Sequence, residues 1–130
     1  MKALSLFSLC VTLLPFSALA ETELTNVTPD NAAKLLASAK APVVVDVRTA
    51  DEFADGHIKG AVNIDVTADD FEAKLSQLDK SKVYLVHCRS GARSTRALET
   101  FKKLGFEKIY HLNEGMLAWV EADQPVVEGK

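Results

Sequence analysis

Cysteine is nearly absent from this chain. Two occur in 130 residues, Cys10 and Cys88. Cys10 lies in an apolar N-terminal run, so one thiol remains in the part that reads as a folded domain, and no internal disulfide can form there. One cysteine with His57, His87 and His111 scattered along the chain lacks the spacing of a zinc site, so no metal is expected. Basic charge is also short: 15 Lys and Arg against 18 Asp and Glu leave a net charge of −3. That balance gives no reason to expect nucleic acid or an anionic membrane as a partner. No internal repeat, low-complexity tract or linker divides the chain. What is present is an ordinary globular composition, 48% apolar and 25% charged, in a length that suits one domain with a real core and not two.

The first twenty residues stand apart. Lys2 supplies a short positive start, Ala3 to Leu14 is apolar apart from Ser5, Ser8 and Thr12, and Pro15 ends the run. Ala18-Leu19-Ala20 is an A-x-A cleavage signature. The expectation is a secretory signal peptide over residues 1–20, too short for a membrane anchor, followed by a single domain over residues 21–130. The mature protein is then exported, periplasmic if the source is Gram-negative, and not held at a membrane after processing. In that oxidising compartment an unpaired thiol is open to oxidation, and its presence there points to use.

The remaining chain alternates strand and helix signals. Leu24 to Thr28 reads as a short edge strand, and Thr28-Pro29-Asp30 as a helix start with proline at the first helical position. Val43 to Val47 is a β-branched run broken only by Asp46, as a buried parallel strand requires. A short helix over Thr49 to Ala54 ends at Asp55-Gly56, and Ala61 to Ile64 is another short strand. Asp65 to Leu78 is expected to be helical, with Phe71, Leu75 and Leu78 on one face. Val83 to His87 is the central strand. Ala97, Leu98, Phe101 and Leu104 mark the next helix, capped by Gly105. Lys108 to Leu112 and Glu114 to Glu121 give the last strand and helix, and the tail after Asp123 is expected to fray. Such alternation predicts a parallel sheet covered on both faces.

Between the central strand and its helix lies Cys88-Arg89-Ser90-Gly91-Ala92-Arg93-Ser94. Ligands of open α/β sheets bind at the carboxyl ends of the strands. A cysteine ending a strand is most often an inert core residue, but this one precedes a helix N-terminus, which favours an anion. Gly91 relaxes the dihedral restrictions of an anion-binding turn. Arg89 and Arg93 add positive charge, and Ser94 is the expected helix cap. The setting favours thiolate over thiol at Cys88. Asp46 and Arg48 read as a buried pair tying loops together, since buried charge persists when paired. His57 is assigned to loop structure, His111 to a structural role and Trp119 to the core. His87 adjoins Cys88 but points to the opposite face of the strand, so it is not expected to act on the thiol.

Taken together, Asp46-Val47-Arg48, Gly56-His57-Ile58-Lys59-Gly60-Ala61, Asn63-Ile64 and Cys88 to Ser94 resemble a single-domain rhodanese, and Leu112 to Trp119 resembles that family's closing motif. The resemblance implies an α/β fold with a five-stranded parallel sheet and helices on both faces. It also implies sulfur transfer through a persulfide on Cys88, from a small donor such as thiosulfate to cyanide, a thiol or a protein sulfur acceptor, with no cofactor. The backbone of Arg89, Ser90, Gly91, Ala92 and Arg93 would cradle that sulfur. One departure stands out: the closing motif usually has paired glycines, and here Glu114 precedes Gly115. A positive φ at Glu114 would bring strain, and its carboxylate would repel an anionic donor.

Two other classes share parts of this pattern. His87-Cys88 and Arg93-Ser94 resemble a cysteine phosphatase signature, but four residues separate Cys88 from Arg93 where those enzymes carry five. A sulfur carrier without turnover is the second. Lowering a thiol pKa from ~8.5 to ~6.5 raises the thiolate fraction at pH 7 roughly 25-fold. A Brønsted slope of ~0.45 takes back roughly 8-fold in nucleophilicity. The bulk of any catalysis must therefore come from orienting the donor and stabilising charge as its S–S bond breaks.

Overall fold

The computed structural model describes residues 20–130. The expected signal peptide, Cys10 included, lies outside the described residues except for Ala20. Five strands and five helices alternate: β1 (Glu23–Asn26), α1 (Pro29–Leu36), β2 (Val43–Asp46), α2 (Ala50–Asp55), β3 (Val62–Asn63), α3 (Phe71–Ser76), β4 (Val83–His87), α4 (Ala92–Leu104), β5 (Lys108–His111) and α5 (Gly115–Glu121). All neighbouring strands pair in parallel, in the order β1-β5-β4-β2-β3, with β4 at the centre. Among the described residues no helix is long and apolar enough to cross a membrane.

Strand alternation divides the core in two. Val45 and Val47 from β2 and its end, with Tyr84, Val86 and Cys88 from β4 and its end, pack with Phe71 and Leu75 of α3 and Ala97, Leu98 and Phe101 of α4. Val44 and Leu85 face the other way, against Ala32 of α1 and Met116 and Trp119 of α5. Both strands are buried on both faces, which is why β2 and β4 are apolar runs rather than alternating ones.

Local chemistry sets the element ends. Thr28 caps α1, its hydroxyl accepting from Asn31 N at 3.3 Å, with Pro29 at the first position. Thr49 and Glu52 form a reciprocal capping box on α2. Gly105 ends α4 with φ 84°.

Three expectations need correction. The helix anticipated over Asp65 to Leu78 is only Phe71–Ser76. The Asp65 carboxylate accepts from Thr67 N at 2.8 Å and Thr67 Oγ1 at 2.7 Å, a local turn that competes with helix. The strand over Ala61 to Ile64 shrinks to Val62–Asn63. The tail after Asp123 is docked, not frayed: Val127 exchanges both backbone hydrogen bonds with His57, at 2.8 and 2.9 Å. Gly129 N also donates to Ala54 O, and Pro125 O accepts from the buried Trp119 indole, each at 2.9 Å.

Candidate active site

Cys88 closes β4 at the head of the 13-residue α4, with 1% of its surface exposed. Gly91 turns the chain there with φ 107°, and its N–H donates to Cys88 Sγ at 3.1 Å. Burial pushes the Cys88 thiol up. The Ser94 hydroxyl and the backbone N–H groups of Ser94, Gly91 and Ser90 together outweigh it, so the thiol sits below its ordinary value. Hydrogen bonds from the loop and the first helical turn, rather than arginine charge, are the main stabilisers of a thiolate here.

The two arginines divide. Arg89 is exposed beside the loop. Arg93 is half-buried and spanned by Glu52, whose carboxylate accepts from Nη1 at 2.6 Å and Nη2 at 2.9 Å. That pairing lowers the Glu52 carboxyl to about 2 and raises the Arg93 guanidinium above its ordinary value. Sequence reasoning does not place Glu52 in the site. Its one signal, Thr49-x-x-Glu52, announces only the helix cap.

Ser94 is not the helix cap. α4 begins at Ala92 and its cap is Gly91, which has no side chain to offer. Ser94 sits one turn in, fully buried, with Oγ 2.7 Å from His111 Nε2. The cap position lies at φ 107° and a Cβ there would meet Asn113 O, so it takes glycine and no side chain caps the helix.

The structure brings Asp46 and Arg48 together in a buried ion pair, Arg48 Nη2 to Asp46 Oδ2 at 2.7 Å, with Nε also donating to the carboxylate. Arg48 Nη2 reaches Gly56 O at 2.7 Å, and the Asn63 amide donates to Asp46 O and Arg48 O at 3.0 and 2.9 Å. The pair ties the ends of β2, α2 and β3 together. His87 is paired in register with Asp46, its Nδ1 2.9 Å from Cys88 O and its Nε2 3.6 Å from Asp46 Oδ2. It touches the carbonyl of Cys88 and not the sulfur. Burial holds its pKa below the ordinary histidine value. His57 stacks on Phe53 at 3.7 Å and meets Phe53 O through Nδ1 at 2.8 Å.

The closing turn braces the loop from behind. Met116 N donates to Cys88 O at 2.9 Å and Leu117 N to Arg89 O at 3.0 Å. Glu114 is exposed and lies at φ −94°, so the expected strain there is absent. Gly115 takes the positive φ, 70°, and a Cβ on it would collide with the carbonyls of Arg89 and Cys88. A Cβ on Gly91 would collide with Asn113 O. Both glycines are required by backbone-to-backbone approach as well as by φ. Among the described residues no cluster of three His, Cys, Asp or Glu side chains could hold a metal.

A hydrogen-bonded cysteine sulfur at a strand end, beside a helix N-terminus and with its pKa lowered, is the arrangement of a nucleophilic cysteine. The sequence matches the rhodanese-like domain family over residues 28–122, and the chain belongs to that family. It is 32% identical to the thiosulfate sulfurtransferase GlpE of Shewanella oneidensis, across 68% of this chain and 85% of that one. It is also 32% identical to MoeZ of Mycobacterium tuberculosis, named a probable adenylyltransferase/sulfurtransferase, across 77% of this chain but only 26% of that protein. The fold superposes on the crystal structure of a rhodanese-like domain protein from Staphylococcus aureus with a TM-score of 0.70 at 28% identity, covering 82% of this chain and 99% of that one.

Proposed function

We propose that this protein is an exported sulfurtransferase that carries sulfane sulfur from thiosulfate to cyanide or a thiol on Cys88. The observation that carries the reading is the Gly91 N–H donating to Cys88 Sγ at 3.1 Å at the head of α4, in a loop where the N–H groups of Ser90 and Ser94 and the Ser94 hydroxyl also favour the thiolate. In the first step the Cys88 thiolate attacks the outer sulfur of thiosulfate. The donor's S–S bond breaks, sulfite leaves with the electron pair, and a persulfide forms. In the second step the acceptor attacks the terminal sulfur and the Cys88 thiolate leaves. The same N–H groups stabilise the anion at the start and the end of the cycle. Exposed Arg89 stands where the oxyanion end of a donor would approach. Export is supported by the charged start, apolar run and A-x-A site. Thr22 donates its hydroxyl to Phe106 O at 2.6 Å and β1 starts at Glu23, so cleavage after Ala20 would leave β1 whole.

Intact mass spectrometry after incubation with thiosulfate tests the chemistry. The wild type gains the mass of one sulfur atom and loses it to cyanide, while folded Cys88→Ser gains none. Loading without turnover would point to a sulfur carrier, and loading of Cys88→Ser would place the sulfur on another group. N-terminal sequencing of the exported protein should read from Glu21.

A further inference from the structure

His87 is fully buried, and its Nε2 makes no hydrogen bond among the described residues. The other ring nitrogen, Nδ1, lies 2.9 Å from Cys88 O. A carbonyl can only accept, so Nδ1 carries the proton of the neutral ring and donates it. Nε2 is then a bare lone pair, 3.6 Å from Asp46 Oδ2, which is an acceptor too. That carboxylate is already filled: it accepts from Arg48 N, Nε and Nη2 at distances of 2.7 to 3.1 Å. The other tautomer would turn its proton to an oxygen too distant for a good hydrogen bond and leave a lone pair against the Cys88 carbonyl. A buried orphan nitrogen costs stability, and here it accompanies a bond to the backbone of the cysteine itself.

We propose that His87 is a positioning residue for the sulfur chemistry: its Nδ1–H, with the Met116 N–H, pins the Cys88 carbonyl and so sets the peptide that opens the Cys88 loop. The inference rests on the sulfurtransferase reading of Cys88.

Both donors come from one side. His87 shares a strand face with Leu85, which packs with Met116 and Trp119 of α5. Met116 N reaches Cys88 O at 2.9 Å, and Leu117 N holds the next carbonyl, Arg89 O, at 3.0 Å. In a trans peptide the N–H points opposite to the C=O. Two carbonyls anchored on the α5 side therefore turn the N–H groups of Arg89 and Ser90 away from it. The Ser90 N–H is among those that favour the thiolate, and the Gly91 N–H, one peptide further on, donates to Sγ at 3.1 Å. Freeing the first peptide loosens the aim of the amides that follow. His87 thus acts on the sulfur through the backbone without touching it. The titratable groups around the ring are Asp46 and Arg48 from β2 and its end, Cys88 from its own strand, and His111 from β5. Burial outweighs the pull of Asp46, which keeps the ring neutral at neutral pH.

Three measurements on the full chain test this. Ring-nitrogen NMR of the wild type, with His87 assigned through its own backbone signals, should show a protonated Nδ1 and a bare Nε2 at neutral pH. A proton on Nε2 alone would overturn the proposal, because Nδ1 would have nothing to donate. Single-turnover sulfur loading from thiosulfate should be roughly fivefold slower in folded His87→Leu at saturating donor, with the donor concentration dependence little changed. His87→Asn, whose amide nitrogen takes the place of Nδ1, should recover most of that rate. Loss of stability without loss of rate in His87→Leu would overturn the role, as would an asparagine variant as slow as the leucine one. Alkylation of Cys88 by iodoacetamide, followed by peptide mapping, needs no sulfur transfer. Its pH midpoint should rise by about half a unit in His87→Leu, about threefold less thiolate at neutral pH, and return towards wild type in His87→Asn. If the wild type loads no sulfur, the sulfurtransferase reading has failed, and the ring tautomer and the alkylation midpoints still decide whether His87 sets the loop.

Discussion

Arg93 does not hang over the sulfur with its charge unspent; both of its terminal nitrogens are held by the Glu52 carboxylate, at 2.6 and 2.9 Å. One of the two cations flanking Cys88 in sequence is thereby neutralised, and its guanidinium plane is fixed at the loop. This geometry, more than the count of arginines, governs what an anionic donor meets.

Glu52→Gln should strengthen thiosulfate binding. The amide oxygen introduced by the substitution can still serve the cap with Thr49, so α2 is preserved while Arg93 regains its net charge. A drop of a few-fold in the thiosulfate KM at low salt is expected, shrinking as salt is added. The same pair makes stability pH-dependent. The Glu52 carboxyl is lowered to about 2 from 4.5, so its contribution is complete above the unfolded value. It is lost as pH falls towards the folded value, and after solvent screening amounts to on the order of 1 kcal/mol. Urea melts at pH 7, 4 and 3 should show wild type losing this increment while Glu52→Gln does not.

Gly115→Ala should damage both fold and site. Its φ of 70° disfavours any Cβ, and the added carbon would press on the carbonyls of Arg89 and Cys88. The cost should be roughly 2–4 kcal/mol by thermal melting, with sulfur loading reduced further than the stability loss explains. Glu114→Gly, by contrast, relieves no strain, because Glu114 already lies at φ −94°.

Asp46→Asn should leave the buried Arg48 cation without its counter-charge, costing about 3–5 kcal/mol. Adding Arg48→Met should recover part of that loss, since the remaining charge is then removed as well. A double-mutant cycle by urea denaturation measures the coupling. Equal losses in Asp46→Asn and the double variant would mean that the hydrogen bonds, rather than the charges, hold this corner.

Truncation after Asp123 should expose the Trp119 indole. It removes the His57–Val127 bridge, the Gly129–Ala54 bond and the carbonyl of Pro125. At about 1 kcal/mol for each net hydrogen bond, the melt should fall by several degrees, with a red shift in tryptophan emission. An unchanged spectrum would show that the tail does not cover Trp119.

The sequence by itself determined the parts whose causes are local. Apolar runs and their periods marked all five strands and the five helices, and Thr28-Pro29, Thr49 and Gly105 marked helix ends, because turn and cap chemistry acts within a few residues. It also set Cys88 at the strand-to-helix turn and made Asp46 and Arg48 partners, two residues apart on one edge. Only the tertiary structure decided which distant group meets which. Glu52 reaches Arg93 across 41 positions and His111 reaches Ser94 across 17. Those meetings depend on strand order and register, Val86 beside His111 and Asp46 beside His87, which no local pattern specifies. Whether Glu114 or Gly115 carries the positive φ was likewise settled by how closely α5 must approach the Cys88 loop to bond its carbonyls.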